Sequence, residues 1–558
     1  MTSFDDILRE IGSLSWYQVR SYIFICTIAL AGCLMTFAQV FIGGQSDHWC
    51  KVGHWEDEDC SQWNLTSSEC LLLQRNLSTP KFAKDDDGDP KCMKYNLTGI
   101  DLETAYENQD ILTELDVIKC DEGWHFDRSI HASTITEDWE LVCDRSAMPN
   151  VLQSVYLAGL LVGCISFGIL ADRFGRYFTI ILCNVLSVVF GGLCVISSRV
   201  LVYAFLRFMA GAVTYGASLV CFVLGTEIVL PKARVYFGVA LWYLFAIGYF
   251  VLSAIGYFVQ NWRMQLALFT LPYIITLPFL IILTESPRWL ITHKKYDRAE
   301  KVIKKIAQIN KKENPAGLVS KLRRIDDEKV NTKKANILDI LKHRELVGYS
   351  LNLIYNWFVQ SFVYYGLSLG TSSLGVNVYV AFCISGAVEI PAYTISIFTM
   401  KKMGRKLSTG SLMILAGVSC FATIPAPLGP IRVAVAMIGK FAITASFANI
   451  YVHTAEIFPT PLRTLGIGSC SVAARAGGIV APLILVLEKT WKPLPLILFA
   501  SSSVLAGILV FLLPETKGAP MPDTIEDTLS LKKRAYMSVG KEDPNSILEN
   551  HDSKEVNL

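Results

Sequence analysis

Four charged residues stand inside long apolar runs: Arg207, Glu389, Lys440 and Arg475. A charge at the bilayer centre costs about 2.5–3.5 kcal/mol on insertion scales, so a chain keeps one where it meets a cavity or a partner. Arg475 is set in Ser469-Cys470-Ser471-Val472-Ala473-Ala474-Arg475-Ala476-Gly477-Gly478, whose small neighbours admit a ligand or another helix. It reads either as an anchor for a carboxylate or as one end of an internal salt bridge with Glu389. Glu389, beside the proline of Val388-Glu389-Ile390-Pro391, reads as a structural or gating pair, and Lys440 is placed with it among the gating residues. Aromatic residues supply the complementary chemistry. Trp357 and Tyr364 are spaced to share one helix face, Tyr365 is adjacent, and Trp242, Tyr243 and Phe245 cluster in an earlier run. Aromatic faces attract quaternary ammonium groups by about 0.5–2 kcal/mol each. The expected substrate-binding set is therefore Arg475, Trp357, Tyr364, Tyr365, Trp242 and Phe245, a combination suited to a zwitterion. His453 reads as a packed or capping histidine, with a proton relay as the other reading. There is no P-loop and no catalytic constellation, so an enzyme, a cofactor, a metal site and a nucleic-acid partner are not expected.

These side chains need membrane helices to position them. The chain has 558 residues, 52% of them hydrophobic, and the apolar residues gather in twelve uninterrupted runs, from 20–42 through 266–284 and 347–369 to 494–513. Each is roughly 20 residues long, the length that crosses a bilayer core. The runs are also related in pairs. Asp172, Arg173, Gly175 and Arg176 return in degraded form 229 residues later as Lys401, Lys402, Gly404 and Arg405. Glu227 and Arg234 return at the same offset as Glu456 and Arg463, and Glu285 returns as Glu515 within one residue of it. A shared offset for unrelated motifs marks a duplicated half, the arrangement of a two-bundle transporter with its substrate site between the halves. The expected fold is all-α, with 12 transmembrane helices in two six-helix bundles and a disulfide-rich extracellular loop domain. Asp172, Arg173, Arg176, Glu227, Arg234, Glu456 and Arg463 are expected to gate. Charge pairs that exist in only one conformation, such as Glu227 with Arg234 and Glu456 with Arg463, bias the equilibrium between states. Lys401 stands where the first copy has Asp172, so the two halves cannot make identical contacts.

Loop charge gives an orientation. Residues 289–345 carry 16 Lys or Arg against 8 Asp or Glu, and the other short basic loops also follow even-numbered runs. Basic residues collect on the cytoplasmic side, so both termini are expected there. The chain divides into a cytoplasmic N-terminus (1–19), an N-terminal six-helix bundle (20–284) that includes an extracellular domain (43–146), a cytoplasmic helical linker (285–346), a C-terminal six-helix bundle (347–513) and a cytoplasmic tail (514–558). The tail is polar and is expected to lack order. In the linker, Ala299, Val302, Ile303 and Ile306 form one helical stripe and Ile337, Ile340 and Leu341 another. The 43–146 loop holds Cys50, Cys60, Cys70, Cys92, Cys120 and Cys143 and the glycosylation sequons at Asn64, Asn76 and Asn96. An even cysteine count outside the membrane reads as three disulfides, whose pairing stays open. With 23 acids and 9 bases this loop would concentrate cations near an entrance, or simply stay soluble.

Several motifs carry a specific resemblance. Trp139-Glu140-Leu141-Val142-Cys143-Asp144 closes the long loop, and Glu285-Ser286-Pro287-Arg288-Trp289-Leu290 follows the sixth run. Further along stand Val388-Glu389-Ile390-Pro391, the segment from Ala455-Glu456 to Arg463, and Leu513-Pro514-Glu515-Thr516-Lys517-Gly518. From Phe4 to Ile525 the chain resembles the organic cation, carnitine and organic anion transporters of the major facilitator superfamily. That resemblance implies twelve helices, alternating access and uptake of small organic ions across the plasma membrane. It also implies substrate contacts at Trp357, Tyr364, Phe245 and Arg475. Relatives specialised for cations are typically acidic at this last position, whereas the arginine is similar to carnitine-type and anion-type relatives. Trp491 to Pro495 and Leu367 to Gly375 resemble invertebrate members described as organic cation transporters. The expected function is therefore plasma-membrane secondary transport of small organic cations or carnitine-like zwitterions, with organic anion transport or exchange as the alternative. The expected partners are the substrate, the lipid bilayer and a coupling ion whose identity stays open.

Overall fold

The computed structural model describes residues 4–12, 14–56, 60–63, 65–80, 90–128, 133–313, 317, 342–519, 521–522 and 524–531, and only the backbone of 61–62, 231–239 and 372–373. The apolar runs are helices. The first half contributes α1 (Trp16–Phe37), α2 (Met148–Phe174), α3 (Arg176–Ile196), α4 (Val200–Glu227), α5 (Pro231–Phe258) and α6 (Trp262–Thr276). The second contributes α7 (Arg344–Leu369), α8 (Val378–Met403), α9 (Arg405–Thr423), α10 (Pro430–Ile457), α11 (Thr460–Leu485) and α12 (Leu494–Val510). Helices satisfy every backbone group internally, the condition for crossing lipid. Among the described residues ten segments are long and apolar enough to span: those of α1 to α6 and α8 to α11. α12 is apolar but has 17 residues. α7 is more polar, carrying Arg344, Glu345, Asn352, Asn356 and Gln360.

The repeat is visible in the packing. In the first half α2 lies on α4, α3 on α4 and α6, and α5 on α1; in the second α8 lies on α10, α9 on α10 and α12, and α11 on α7. The halves meet where α5 packs on α8 and α2 on α11, two contacts that the duplication interchanges. Gly248 and Gly477, one repeat apart, mark equivalent close approaches. A Cβ on Gly248 would lie 2.6 Å from Cys33 Cβ on α1, and one on Gly477 would overlap the Phe358 carbonyl on α7.

Three expectations are corrected. α1 begins at Trp16, earlier than the apolar run suggested, because the polar residues around Gln18 are buried against the linker, where Asn310 Oδ1 accepts from the Tyr17 N–H at 2.9 Å. The sixth run stays α-helical only to Thr276, then tightens into a 3-10 turn over Pro278–Ile282; Pro278 has no N–H to continue the ladder. The start of the tail is ordered: residues 525–531 are helical, Leu531 is buried, and the buried Thr528 hydroxyl donates to the Ile457 carbonyl at 3.1 Å. In the linker, Tyr296–Ile309 is a helix that buries Ala299, Ile303 and Ile306. The stripe at Ile337, Ile340 and Leu341 lies outside the described residues.

Between α1 and α2 sits the cysteine-rich domain. Strands β1 (His48–Cys50) and β4 (Trp124–Phe126) pair antiparallel, as do β2 (Met93–Tyr95) and β3 (Val117–Lys119). All six loop cysteines are bridged, as Cys50–Cys120, Cys60–Cys70 and Cys92–Cys143, around a core that includes Trp55, Leu97 and Leu102. His48 lies beside Cys143, but the sulfurs of Cys92 and Cys143 are bonded to each other rather than open to a metal. Asn76 and Asn96 are exposed, and Asn64 lies outside the described residues.

Candidate substrate site and charge clusters

α8 carries Glu389 and α10 carries Lys440, and the two form an ion pair at 3.0 Å with neither side chain accessible. Glu389 is fully satisfied. The Tyr364 hydroxyl of α7 donates to Oε1 at 2.7 Å and the Tyr393 hydroxyl, one helical turn along α8, to Oε2 at 3.2 Å. The Lys440 ammonium stands 3.4 Å from the centre of the Tyr364 ring and 5.5 Å from that of Tyr249. It also donates to the Tyr249 hydroxyl at 3.3 Å and to Ser368 Oγ. A buried ion pair persists only with such additional hydrogen bonds, because desolvating each charge costs several kcal/mol. Lys440 therefore takes the place that Arg475 would have held in an Arg475–Glu389 salt bridge.

Arg475 has a different setting. Its guanidinium crosses from α11 to the other half, donating to the Tyr215 hydroxyl of α4 and lying 4.3 Å from the centre of that ring. Tyr451, Tyr365 and Cys164 surround it. Unlike Lys440, Arg475 keeps part of its surface accessible, and its Nε has no hydrogen-bond partner among the described residues. Small residues explain how a guanidinium fits here: Gly478 sets its backbone against the Tyr365 ring, where a Cβ would come within 3.0 Å. The rings of Tyr364 and Tyr365, 5.4 Å apart, link the Arg475 setting to the Lys440–Glu389 cage.

The other expected contact residues divide between the lining and the core. Phe245 is half-buried against Phe37 and Tyr249, and Trp242 is exposed with its ring 5.9 Å from Tyr393. Trp357 is 0% exposed: its Nε1 donates to Thr454 Oγ1 at 2.9 Å, and its ring packs on Tyr451 at 4.2 Å. Trp357 reaches the site through Tyr451 and through Phe447, whose ring lies 6.0 Å from that of Trp357 and 6.4 Å from that of Tyr364. His453 is buried with Nε2 3.0 Å from the Pro514 carbonyl, the packed arrangement. Arg207 is fully buried, over the Tyr156 ring at 4.3 Å. Sequence reasoning missed Tyr215, Tyr249, Tyr393, Phe37 and Phe382. Tyr249 and Tyr393 follow Phe245 and Glu389 by four residues and so carried a helical signal; Tyr215 gave none, because it meets Arg475 only across the two halves.

At the end of the bundles away from the cysteine domain, the repeated charges form two matching clusters. Glu285 accepts from the N–H groups of Arg176 (2.8 Å) and Tyr177 at the start of α3 and of its neighbour Ser286, and Glu515 accepts from those of Arg405 (2.9 Å) and Lys406 at the start of α9 and of its neighbour Thr516. Both caps follow a glycine of positive φ, Gly175 and Gly404, where a Cβ would collide with the carboxylate. Burial holds the Glu285 carboxyl above its usual range. Burial also pushes Glu515 up, but the N–H groups of Arg405, Lys517 and Lys406 reverse this and leave it lowered. Arg176 pairs with Asp172 and Glu227 at 3.1 Å each, and Arg405 grips Glu456 with two bonds of 2.9 Å. The Glu456–Arg463 pair expected from spacing does not form: Arg463 donates to the Phe458 and Pro522 carbonyls, because Arg405 already occupies the carboxylate. The Arg234 side chain lies outside the described residues. Arg173 lies over the Phe174 ring at 5.4 Å. These bonds run within one half. At the cysteine-domain end, in contrast, contacts join the halves: Phe41 stacks on Tyr379 at 5.2 Å, the Ser154 hydroxyl donates to the Ile479 carbonyl at 2.8 Å, and Lys489 donates to Ser146.

A two-half helical bundle whose charges Arg475 and Lys440 reach tyrosines of the other half is the architecture of a carrier, and known proteins agree. The profile of the family "Sugar (and other) transporter" matches residues 126–526. The "Organic cation transporter protein" of Drosophila melanogaster is 35% identical over 540 residues, covering 95% of each chain. The chain belongs to this transporter family. Within it, the chain is also 34% identical over 532 residues to "Solute carrier family 22 member 13" of Homo sapiens, covering 94% of this transporter and 93% of that one. "Solute carrier family 22 member 3" of Mus musculus is 31% identical over 563 residues, covering 97% and 98%. These relatives place the transporter in the organic cation, carnitine and organic anion branch of the major facilitators. The inward open xylose transporter XylE of E. coli superposes with a TM-score of 0.57 at 16% identity, over 92% of this chain and 99% of that one, a likeness of fold. The transporter is thus a multi-pass membrane protein that moves small molecules, and not an enzyme.

Proposed function

We infer that this transporter carries small organic cations or carnitine-like zwitterions across the plasma membrane by alternating access, with both termini cytoplasmic. The observation that carries the reading is the Glu389 cage. A carboxylate with two aromatic faces already holds an ammonium, that of Lys440, and these are the groups that recognise a substrate ammonium. The guanidinium of Arg475, whose Nε has no hydrogen-bond partner among the described residues and which is linked to this cage through Tyr365, supplies a site for the opposite pole, a carboxylate. Trp242, Phe245, Tyr364 and Tyr365 line the path between the poles, with Trp357 supporting it from behind. The clusters around Arg176 and Arg405 act as gates at the end of the bundles away from the cysteine domain.

Uptake of radiolabelled carnitine, tetraethylammonium and para-aminohippurate by cells expressing wild type and Arg475→Asp tests this directly. Wild type is expected to accumulate carnitine or the cation above hippurate. The variant is expected to lose carboxylate-bearing substrates at least tenfold, roughly 1.4 kcal/mol or more, while keeping tetraethylammonium. Equal loss of every substrate would assign Arg475 to holding the bundle together. Organic anion exchange is the second reading. One observation favours it: Arg475 and Arg207 lie over tyrosine rings and form no ion pair among the described residues, while Lys440 already neutralises Glu389. Hippurate uptake exceeding both other substrates would establish that reading instead.

A further inference from the structure

A cleft of about 390 Å³ opens where α2 ends and α3 begins, closed on its outer side by the linker helix Tyr296–Ile309. Its two walls differ in chemistry. One is formed by Phe174 and Phe178, half-exposed rings 6.0 Å apart where two spanning helices adjoin. The other carries Lys295, just before the linker helix, and Arg298 and Lys301 within its first two turns, with all three exposed. Lys295 lies over the ring of Trp289 at 4.5 Å, and Glu300, the neighbouring acid, is engaged by Lys304 at 2.9 Å. Glu285 also borders the cleft, but its carboxylate is consumed by the N–H groups of Arg176, Tyr177 and Ser286.

We propose that this cleft binds an anionic phospholipid, its headgroup held by Lys295, Arg298 and Lys301 and its acyl chains laid against Phe174 and Phe178. Charge complementarity selects an anion, and the adjoining aromatic wall at the end of two spans selects a lipid over a soluble phosphate. The occupied cleft would tie the linker helix to the α2–α3 junction, which Trp289 already joins by donating from Nε1 to the Asp172 carbonyl at 2.8 Å. The Arg176 cluster would then be braced by the membrane itself. Nothing in this inference depends on which substrate is carried.

The test uses the full chain in nanodiscs of phosphatidylcholine with and without phosphatidylserine, reading retained lipid by native mass spectrometry and the melting temperature. Wild type is expected to retain phosphatidylserine over phosphatidylcholine by on the order of tenfold to a hundredfold and to melt higher in its presence. Lys295→Gln/Arg298→Gln/Lys301→Gln is expected to bring that preference to near parity, whereas Lys311→Gln/Lys312→Gln, which removes charge outside the cleft, keeps it. Unchanged preference in the triple variant overturns the proposal. So does inorganic phosphate raising the melting temperature in pure phosphatidylcholine as much as phosphatidylserine does. If the triple variant fails to assemble, Arg298→Gln alone decides: a several-fold loss of preference supports the site and no loss rejects it.

Discussion

Glu389 and Lys440 show why a buried charge is best treated as a pair. With neither side chain accessible, removing one leaves the other desolvated, a loss of about 3–5 kcal/mol. Lys440→Met and Glu389→Gln are each expected to lower the thermal unfolding midpoint of purified protein strongly, and the double variant to lose less than the two singles combined. Strict additivity would show that the ion pair does not couple them. Arg475 is expected to behave otherwise. Its guanidinium stands over the Tyr215 ring rather than against a carboxylate, so Arg475→Gln should alter substrate preference more than stability, read by the same melting measurement beside uptake. Residue types and periodicity made all three charges visible in the chain, but the choice between Arg475 and Lys440 as partner of Glu389 was not legible. It depends on the depth at which α8, α10 and α11 are set against one another.

At the level of helices, the duplication acts through glycines and caps. The Gly477 backbone approaches α7 so closely that a methyl group would strike the Phe358 carbonyl, whereas Gly468, two turns and a little more away on the same α11, has open space before it. Gly477→Ala is expected to destabilise by about 1–3 kcal/mol through forced separation of α7 and α11, and Gly468→Ala to leave the melting temperature near wild type; equal effects would place both glycines in loosely packed surroundings. The repeated acids were legible as landmarks because their spacing survives in both halves. Their partners were not, since Arg405 reaches Glu456 across the α9–α10 contact, while Arg463, nearer in sequence, turns to the Phe458 and Pro522 carbonyls. Likewise the polar tail hid a helix whose order comes from burying Leu531 and bonding Thr528 to the Ile457 carbonyl at the end of α10 rather than from its own composition.

Over the whole molecule, alternating access requires the halves to part at the cysteine-domain end, where they are now joined. Phe41→Cys with Tyr379→Cys, at stacked rings, should cross-link the halves with a short bismaleimide and stop uptake, while each single variant treated alike remains active. Undiminished uptake by the cross-linked protein would mean that this end does not open. The cysteine-rich domain should also be acid-sensitive. Lys94 bonds Asp121 at 2.7 Å and Glu122 at 2.8 Å and holds both carboxyls below their usual range. Stability from this cluster is therefore present above the unfolded carboxylate values, near pH 4, and is lost as pH falls through the lowered folded values. Hydrogen exchange over residues 90–128 should accelerate on acidification in wild type and show little of that dependence in Lys94→Met.

Apolar run length, the recurring offset of 229 residues and the loop cysteines were enough to specify a duplicated helical membrane carrier with a disulfide domain, because hydrophobic thickness and repeat spacing are properties of the chain as a line. Packing decided what spacing could not. It closed the three disulfides as Cys50–Cys120, Cys60–Cys70 and Cys92–Cys143, gave Glu389 to Lys440, enclosed Trp357 and set Tyr215 opposite Arg475. Each of these joins residues distant in sequence, and the Tyr215–Arg475 contact joins the two halves. Such distances exist only once helices far apart in sequence are pressed together.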